Sequence, residues 1–205
     1  MLIRKLNAVV IEEKILDSGQ AYNVPGGWDE KNDAVLNFKS IMKEKLYINQ
    51  NGKCAYCGLS LNTRNPEIDH IAPKGGTIRP KHSECTFLPL NLVYACHNCN
   101  SSECKGQKDV VASKGNLEYR NWSFKIVHPY LDDPNNYFEC CATDTIILLP
   151  KKDVDEQHKE KARFTLELFN LHTEQKLTEI AKEIAFERNP TLVKQIVLEI
   201  STYRS

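Results

Sequence analysis

Two Cys-x-x-Cys pairs constrain this chain more than any other feature of its sequence. Cys54 and Cys57 form the first pair, and Cys96 and Cys99 form the second about forty residues later. Each pair is typical of a knuckle that turns two thiolates toward one point, and Gly58 suits the tight turn after the first. Two knuckles supply the four sulfur ligands that zinc prefers, so we expect a structural Zn²⁺ with no open position. A redox dithiol is the alternative for a single pair.

The composition is that of a globular protein, with 41% hydrophobic and 26% charged residues in a chain of 205. The formal net charge is zero, so any nucleic-acid site must be a local patch or come from a partner. The N-terminal stretch does not read as a secretory signal, and no segment approaches the ~20 apolar residues of a membrane span. We therefore expect a cytoplasmic location, no membrane association and reduced cysteines.

The hydrophobic pattern predicts an α+β fold with helices on both sides of the cysteine-containing segment. A helix is expected from about Asp29 to Asn49, and Asn51-Gly52 is typical of its end. Further helices are expected from Asp153 to Ser205, with an interruption at Asn189-Pro190. The strand candidates outside the cysteine segment are residues 124–127 and 145–149, the second ended by Pro150. This division predicts an N-terminal helical extension, a central module, and a strand and loop region with C-terminal helices, at residues 1–50, 51–110 and 111–205.

The segment between the knuckles reads as a hairpin that carries candidate catalytic residues. Asp69 and His70 are adjacent on its first strand and therefore point to opposite faces. Histidine is the natural general base near neutral pH, and aspartate is a natural ligand for Mg²⁺ or Mn²⁺. Asn91 on the opposing strand is a candidate to orient the imidazole, and Asn100, where a helix begins, is a candidate second cation ligand. Each residue alone also fits an ordinary strand-end, turn or N-cap role.

In combination these residues resemble the four-cysteine type of HNH endonuclease, whose catalytic unit has the ββα-metal fold. The resemblance covers roughly residues 50–108, about a quarter of the chain. It rests on Cys54-x-x-Cys57-Gly58, Ile68-Asp69-His70-Ile71-x-Pro73-Lys74, Asn91-Leu92-Val93, Cys96-x-x-Cys99-Asn100 and Lys105-Gly106.

The resemblance implies a role for each matching residue. His70 would activate water, Asn91 would orient His70, and Asp69 with Asn100 would hold one divalent cation at the scissile phosphate. Two further residues, Lys74 and Lys105, would contact substrate phosphate, although each alone reads as a solvated charge. The third motif position is Asn100 rather than histidine, and the segment before Lys105-Gly106 is one residue longer than the tighter endings of the family.

The flanking segments resemble HNH effectors of bacterial antiphage systems, in particular PtuB-like nuclease subunits of the Septu type. The matching stretches are Val127-His128-Pro129-Tyr130-Leu131-Asp132-Asp133-Pro134 and residues 162–171. This resemblance implies an antiviral defence role with an ATPase subunit as partner. The C-terminal helices are then either a docking surface or a packed cap on the nuclease.

The hypothesis from sequence is phosphodiester hydrolysis in nucleic acid, with DNA as the expected substrate. An RNA nuclease is also compatible with the motif, because the motif residues act on the phosphate and do not distinguish the sugar of DNA from that of RNA. A non-catalytic zinc module that binds DNA or a protein partner is compatible as well, and it predicts that His70 and Asp69 are dispensable.

Overall fold

The fold is mixed α and β, as predicted, in a computed structural model that describes residues 3–115, 118–140, 147–191, 194–195 and 198–199. The helices are α1 Glu13–Gln20, α2 Asp33–Asn49, α3 His97–Asn100, α4 Glu156–Leu168 and α5 Glu174–Arg188. The strands are β1 Glu67–His70, β2 Leu92–Ala95, β3 Val111–Ser113, β4 Ser123–Phe124, β5 Phe138–Cys140 and β6 Leu148–Pro150. They pair in chain order as three two-stranded antiparallel sheets.

The β1–β2 hairpin and the short α3 helix form the ββα unit that the motif predicts. Asp69 lies opposite Val93 in the hairpin, and His70 lies opposite Leu92. Asn91 closes a single 3₁₀ turn, Pro89–Asn91, and therefore lies at the entry of β2 rather than on the strand. The backbone N–H of Ile71 donates to Asn91 O at 2.9 Å, so the hairpin ladder continues one step beyond the strands.

Helix α2 covers one side of the hairpin, close to the predicted bounds. Asn32 caps its first turn by accepting a hydrogen bond from the Val35 N–H at 3.0 Å. Asn51 and Gly52 adopt left-handed conformations just after the helix, as expected of a C-terminal stop. The buried face repeats at helical spacing and packs with Phe87 and Leu92 of the central segment; it consists of Val35, Phe38, Met42 and Leu46.

The C-terminal helices pack against the central module and the segment that follows it. The α4 side chain Thr165 accepts a hydrogen bond from the Val127 N–H at 2.8 Å. On α5, Glu183 accepts from the Ser60 N–H at 2.5 Å and pairs with Arg64 at 3.2 Å. One buried apolar cluster joins residues from the N-terminus, the knuckles and both helices. These contacts support the packed-cap interpretation of the C-terminal helices.

The two strand predictions outside the hairpin need correction. The first strand, β4, ends at Phe124, and the backbone beyond it is held by other partners, such as Thr165 for the N–H of Val127. The second predicted strand, residues 145–149, was expected to end before Pro150. Pro150 instead belongs to β6 and lies opposite Phe138. Proline is tolerated there because a two-stranded sheet consists of edge strands. Residues 145 and 146 of that prediction lie outside the described part of the chain.

Candidate active site and metal centre

The four predicted cysteine ligands converge on one point, where they could hold a metal ion such as zinc. The sulfur atoms of Cys54, Cys57, Cys96 and Cys99 all lie within 4.8 Å of one another and are buried. Cys57 Sγ lies 3.9 Å from Cys96 Sγ. A zinc ion with bonds of about 2.3 Å separates tetrahedral sulfurs by roughly 3.8 Å, so the donor set fits this ion. Gly58 has φ +69°, the left-handed turn predicted after the second thiolate.

His70 lies in a buried and positively charged setting. Its side chain is only 6% exposed, and its Nε2 lies 3.1 Å from Thr86 O. Because a carbonyl only accepts, Nε2 carries the proton and Nδ1 keeps a free lone pair. Burial lowers the pKa of His70 to about 3, and the charges of Lys105 and Lys74 contribute to this lowering. The imidazole is therefore neutral near pH 7, the state that a general base requires.

Asp69 faces a different set of partners from His70. Tyr56 donates its hydroxyl hydrogen bond to Asp69 Oδ2, and the Lys105 ammonium lies 3.0 Å from Oδ1. Burial raises the pKa of Asp69, while Lys105 and the Tyr56 hydroxyl act in the opposite direction. The ring of Tyr56 stacks on Phe169 just after α4, with centroids 4.2 Å apart. A carboxylate has about four lone-pair positions, so these two bonds leave lone pairs on Asp69 that could bind a cation.

The phosphate contact expected for Lys105 is corrected by its surroundings. The side chain is 0% exposed, and its ammonium bonds Asp69 Oδ1 and, at 2.6 Å, the His70 carbonyl oxygen. A phosphate cannot reach an ammonium that is buried and already paired in this way. Lys105 instead ties the segment after α3 to strand β1. The other predicted lysine, Lys74, is partly exposed and pairs with Asp29 at 3.0 Å.

Asn91 positions the backbone around the hairpin rather than the imidazole. Its Nδ2 donates to Ala72 O at 3.1 Å and to Cys85 O at 2.9 Å. Its Oδ1 accepts from the Ala72 N–H at 2.7 Å and from the Tyr119 hydroxyl at 2.8 Å. The amide has no capacity left for His70, which Thr86 orients instead. The hydrogen bond from Asn91 to the imidazole that we expected from sequence is therefore wrong.

Asn100 lies at the end of α3, beside a carboxylate that the motif did not include. Asn100 Nδ2 donates to Glu67 Oε2 at 2.6 Å, and Glu67 Oε1 lies 3.2 Å from His97 Nδ1. Glu67 is two residues before Asp69 on β1, so both side chains leave the same face of the strand. Its position in the sequence, two residues before the Asp-His pair, was the signal that could have identified it.

One cavity of about 260 Å³ brings four of the predicted site residues together. Asp69, His70, Lys74 and Asn100 all contribute to its wall, with Trp28, Ile68, Pro73, Gly75, Gly106 and Gln107. The Trp28 ring meets the His70 imidazole edge-on at 4.5 Å. Lys39 lies over Trp28 at 4.8 Å and, like Lys74, lowers the pKa of His70 by its charge. The charged side chains of the cavity wall are thus Asp69 and Lys74, and Lys39 lies close by over the Trp28 ring.

Comparison with known proteins finds distant relatives, each matched in part. The chain is 36% identical over 74 residues to the CRISPR-associated endonuclease Cas9 of Corynebacterium diphtheriae, which covers 36% of this chain and 5% of that protein. It is 25% identical over 167 residues to the Septu protein PtuB of Bacillus mycoides. This match covers 73% of this chain and 52% of that protein. It is 30% identical over 89 residues to protein ea31 of phage lambda. This match covers 43% of this chain and 24% of that protein. No protein-family model matches the chain.

The match to PtuB extends over most of this chain, whereas the matches to Cas9 and ea31 are shorter. The chain spans at most about half the length of these curated relatives. Among the described helices, none is long and apolar enough to cross a membrane.

The segment after the central module also supports the site, a role that its sequence did not indicate. His128 is fully buried, and its Nε2 lies 3.1 Å from the Tyr119 hydroxyl that holds Asn91. The Tyr130 hydroxyl donates to Leu92 O at 2.6 Å on β2. The entry of β2 is therefore tied to residues 119–130 at two points. The sequence marked this stretch only through its resemblance to PtuB-like subunits, which gave none of its residues a role at the site.

Proposed function

We propose that this protein is an HNH endonuclease that hydrolyses phosphodiester bonds, with DNA as its expected substrate. The observation that carries the proposal is the shared cavity of His70, Asp69 and Asn100 beside a four-cysteine cluster. The partial similarity to an endonuclease, Cas9, and to a Septu protein supports the same class. In this proposal the four cysteines bind a structural Zn²⁺, because their donor set is complete without a substrate or water.

His70 supplies the base in this proposal. Thr86 holds its Nε2–H, and the buried, cationic surroundings keep the ring neutral, so Nδ1 is ready to take a proton from water. Lys74 in the cavity wall and Lys39, which lies over the neighbouring Trp28 ring, are the candidate contacts for the substrate phosphate. Trp28 packs edge-on against the imidazole and limits its rotation.

Asp69 and Asn100 would hold a divalent cation such as Mg²⁺ or Mn²⁺. Both residues line one cavity and have side-chain oxygen atoms, and oxygen is the donor that these hard cations take. The bound cation would stabilise the negative charge that develops at the phosphate and on the leaving oxygen. Lys105 and Tyr56 hold Asp69 in place from the buried side.

We further propose a role in antiviral defence with an ATPase subunit as partner. The support is the similarity to a Septu protein over 73% of this chain. Helices α4 and α5 pack on the central module through one face, and their exposed faces are the candidate docking surface. An ATPase could deliver the substrate or keep the nuclease inactive until a signal arrives.

The test is cleavage of supercoiled plasmid by the zinc-loaded chain, alone and with its ATPase partner. Divalent ions are omitted or added as Mg²⁺ or Mn²⁺, and a single-stranded RNA of matched length is assayed in parallel. The proposal predicts nicked and linear DNA only when a divalent ion is present, with RNA cleaved more slowly. Cleavage of RNA alone would make the chain a ribonuclease instead.

A non-catalytic zinc module is the second candidate function. The observation that favours it is the ion pair of Asp69 with Lys105, in which both side chains are buried. In that case Asp69 and His70 serve the fold, and no divalent ion beyond zinc is needed. The folded protein would then bind DNA or its partner without cleaving either under any metal condition.

A further inference from the structure

Glu67 fixes the orientation of the Asn100 amide. Asn100 Nδ2 donates to Glu67 Oε2 at 2.6 Å, a short charge-assisted hydrogen bond. The nitrogen end of the amide is engaged with the carboxylate, so Oδ1 is the atom left for another partner. A hard cation takes an amide oxygen and is repelled by the N–H₂ group. A rotation of the amide by half a turn would therefore make Asn100 useless as a ligand.

The same carboxylate has a second contact on α3. Glu67 Oε1 lies 3.2 Å from His97 Nδ1, and His97 is three residues before Asn100, on the same face of the helix. Glu67 thus connects strand β1 to helix α3 beside the cavity that Asp69 and Asn100 share. The geometry makes Glu67 a fixed point between the two elements that carry the candidate cation ligands.

We propose that Glu67 is a positioning residue for the catalytic cation, acting through Asn100. It holds the amide so that Oδ1 is presented together with the carboxylate of Asp69. This inference rests on the proposed function, because it takes Asp69 and Asn100 as the ligands. It assigns Glu67 no direct contact with metal or substrate. The two alternatives are that Glu67 is itself a third ligand of the cation, or that its negative charge simply attracts the cation.

Substitution at Asn100 separates orientation from direct ligation. An Asn100→Asp side chain has two equivalent oxygens, so it needs no partner to choose between them. Beside Glu67 it also creates two adjacent carboxylates that repel each other. Removal of Glu67 should therefore weaken cation binding when residue 100 is asparagine, and should not weaken it when residue 100 is aspartate. A direct ligand or an attractive charge at Glu67 would matter equally in both cases.

The experiment is titration of Mn²⁺ into the zinc-loaded full chain, with free Mn²⁺ followed by electron paramagnetic resonance. The proteins are wild type, Glu67→Ala, Glu67→Gln, Asn100→Asp and the Glu67→Ala/Asn100→Asp double variant. His97→Ala is the matched control, since it removes the other contact of Glu67. Zinc content and thermal unfolding are measured for each to establish that the fold is intact.

We expect Glu67→Ala to weaken Mn²⁺ binding by about ten- to a hundredfold, the usual effect of losing a partner that orients a ligand. Glu67→Gln should keep most of the affinity, because its amide oxygen can still accept from Asn100 Nδ2. His97→Ala should bind within about threefold of wild type. The double variant should bind Mn²⁺ at least as tightly as Asn100→Asp alone.

The inference is overturned if Glu67→Ala weakens binding equally in the Asn100 and Asn100→Asp proteins, or if Glu67→Gln is as weak as Glu67→Ala. Wild-type affinity in Glu67→Ala would overturn it as well. Failure of the proposed function has a different signature, because an Asp69→Asn protein titrated in the same way would then bind Mn²⁺ like the wild type.

Discussion

The Tyr119 hydroxyl donates a 2.8 Å hydrogen bond to Asn91 Oδ1 and so ties a residue beyond the ββα unit to the centre of the hairpin. His128 Nδ1 accepts from the N–H groups of Tyr130 and Leu131, which leaves its Nε2–H to donate to the Tyr119 oxygen at 3.1 Å. Every polar atom of the Asn91 amide is satisfied by this network and by the hairpin backbone. The site therefore depends on residues after position 110.

Removal of the Tyr119 hydroxyl should destabilise the protein without changing its packing. In Tyr119→Phe the buried His128 Nε2–H loses its acceptor, and the free energy of unfolding should fall by about 1–3 kcal/mol. Tyr47→Phe is the control, because its hydroxyl bonds Asn62 at an exposed site and should cost less than about 0.5 kcal/mol. Urea unfolding measures both. Equal stability of the two variants would contradict the role of the network.

Loss of one cluster cysteine should remove the metal and the fold together. Cys57→Ser leaves three thiolates, and zinc binding contributes folding energy on the order of 10 kcal/mol. We expect less than one zinc per chain by elemental analysis and loss of the native circular dichroism signal. Cys104→Ala, a buried cysteine outside the cluster, should keep its zinc. A folded Cys57→Ser protein with full zinc content would rule out a structural zinc site.

Lys105 is predicted to matter for stability rather than for substrate affinity. Lys105→Met leaves the buried carboxylate of Asp69 without its cation, and such a change costs about 3–5 kcal/mol. Lys108→Met, which removes an exposed ammonium that bonds Glu103 O, should change the free energy of unfolding by less than about 0.5 kcal/mol. Chemical unfolding at pH 7 measures the free energy of unfolding of both variants. A Lys105→Met protein of normal stability that binds DNA weakly would restore the phosphate role.

Acid should destabilise the protein partly through His128. Burial lowers the pKa of His128 to about 3 in the folded protein, against about 6.5 in the unfolded chain. Between these values the unfolded chain binds a proton that the folded protein does not, so stability falls as the pH falls from about 6.5 toward 3. The loss approaches about 1.4 kcal/mol per pH unit for one group.

The control for this pH dependence is His128→Asn, whose side-chain oxygen can replace Nδ1 as the acceptor for the two N–H groups. Its stability, measured by urea unfolding from pH 8 to pH 4.5, should depend less on pH than that of the wild type. Below pH 6, the slopes of the free energy of unfolding against pH should differ between the two proteins by an amount that approaches one bound proton. Identical slopes would mean that His128 does not carry the proposed linkage.

The local parts of the fold were predictable because short-range chemistry determines them. The cysteine spacing predicted the cluster, the residue type at Gly58 predicted its left-handed turn, and the apolar spacing predicted helix α2, which Asn32 caps. The hairpin and the cavity residues Asp69, His70, Lys74 and Asn100 were predicted from the order of the motif elements, although these elements lie up to about thirty residues apart in the sequence.

The parts that the sequence did not predict depend on long-range contacts. Lys105 reads as a surface charge by itself, and only the fold shows that it is buried against Asp69. Asn91 was assigned to the imidazole from the motif, because nothing in its spacing indicates its partner Tyr119, 28 residues further along the chain. Glu67 was overlooked because its partners, His97 and Asn100, lie across the hairpin on α3. Tertiary contacts assign these polar side chains, and their spacing in the sequence does not.

The most direct test of the nuclease assignment compares two histidine variants in the plasmid assay with Mn²⁺. His70 lines the cavity, whereas His97 is exposed and outside the proposed proton transfer. With zinc content equal to that of the wild type, His70→Ala should lose activity by at least about a hundredfold, and His97→Ala should cleave at a rate within a few-fold of the wild type. Wild-type cleavage by a pure, folded His70→Ala protein would contradict the account.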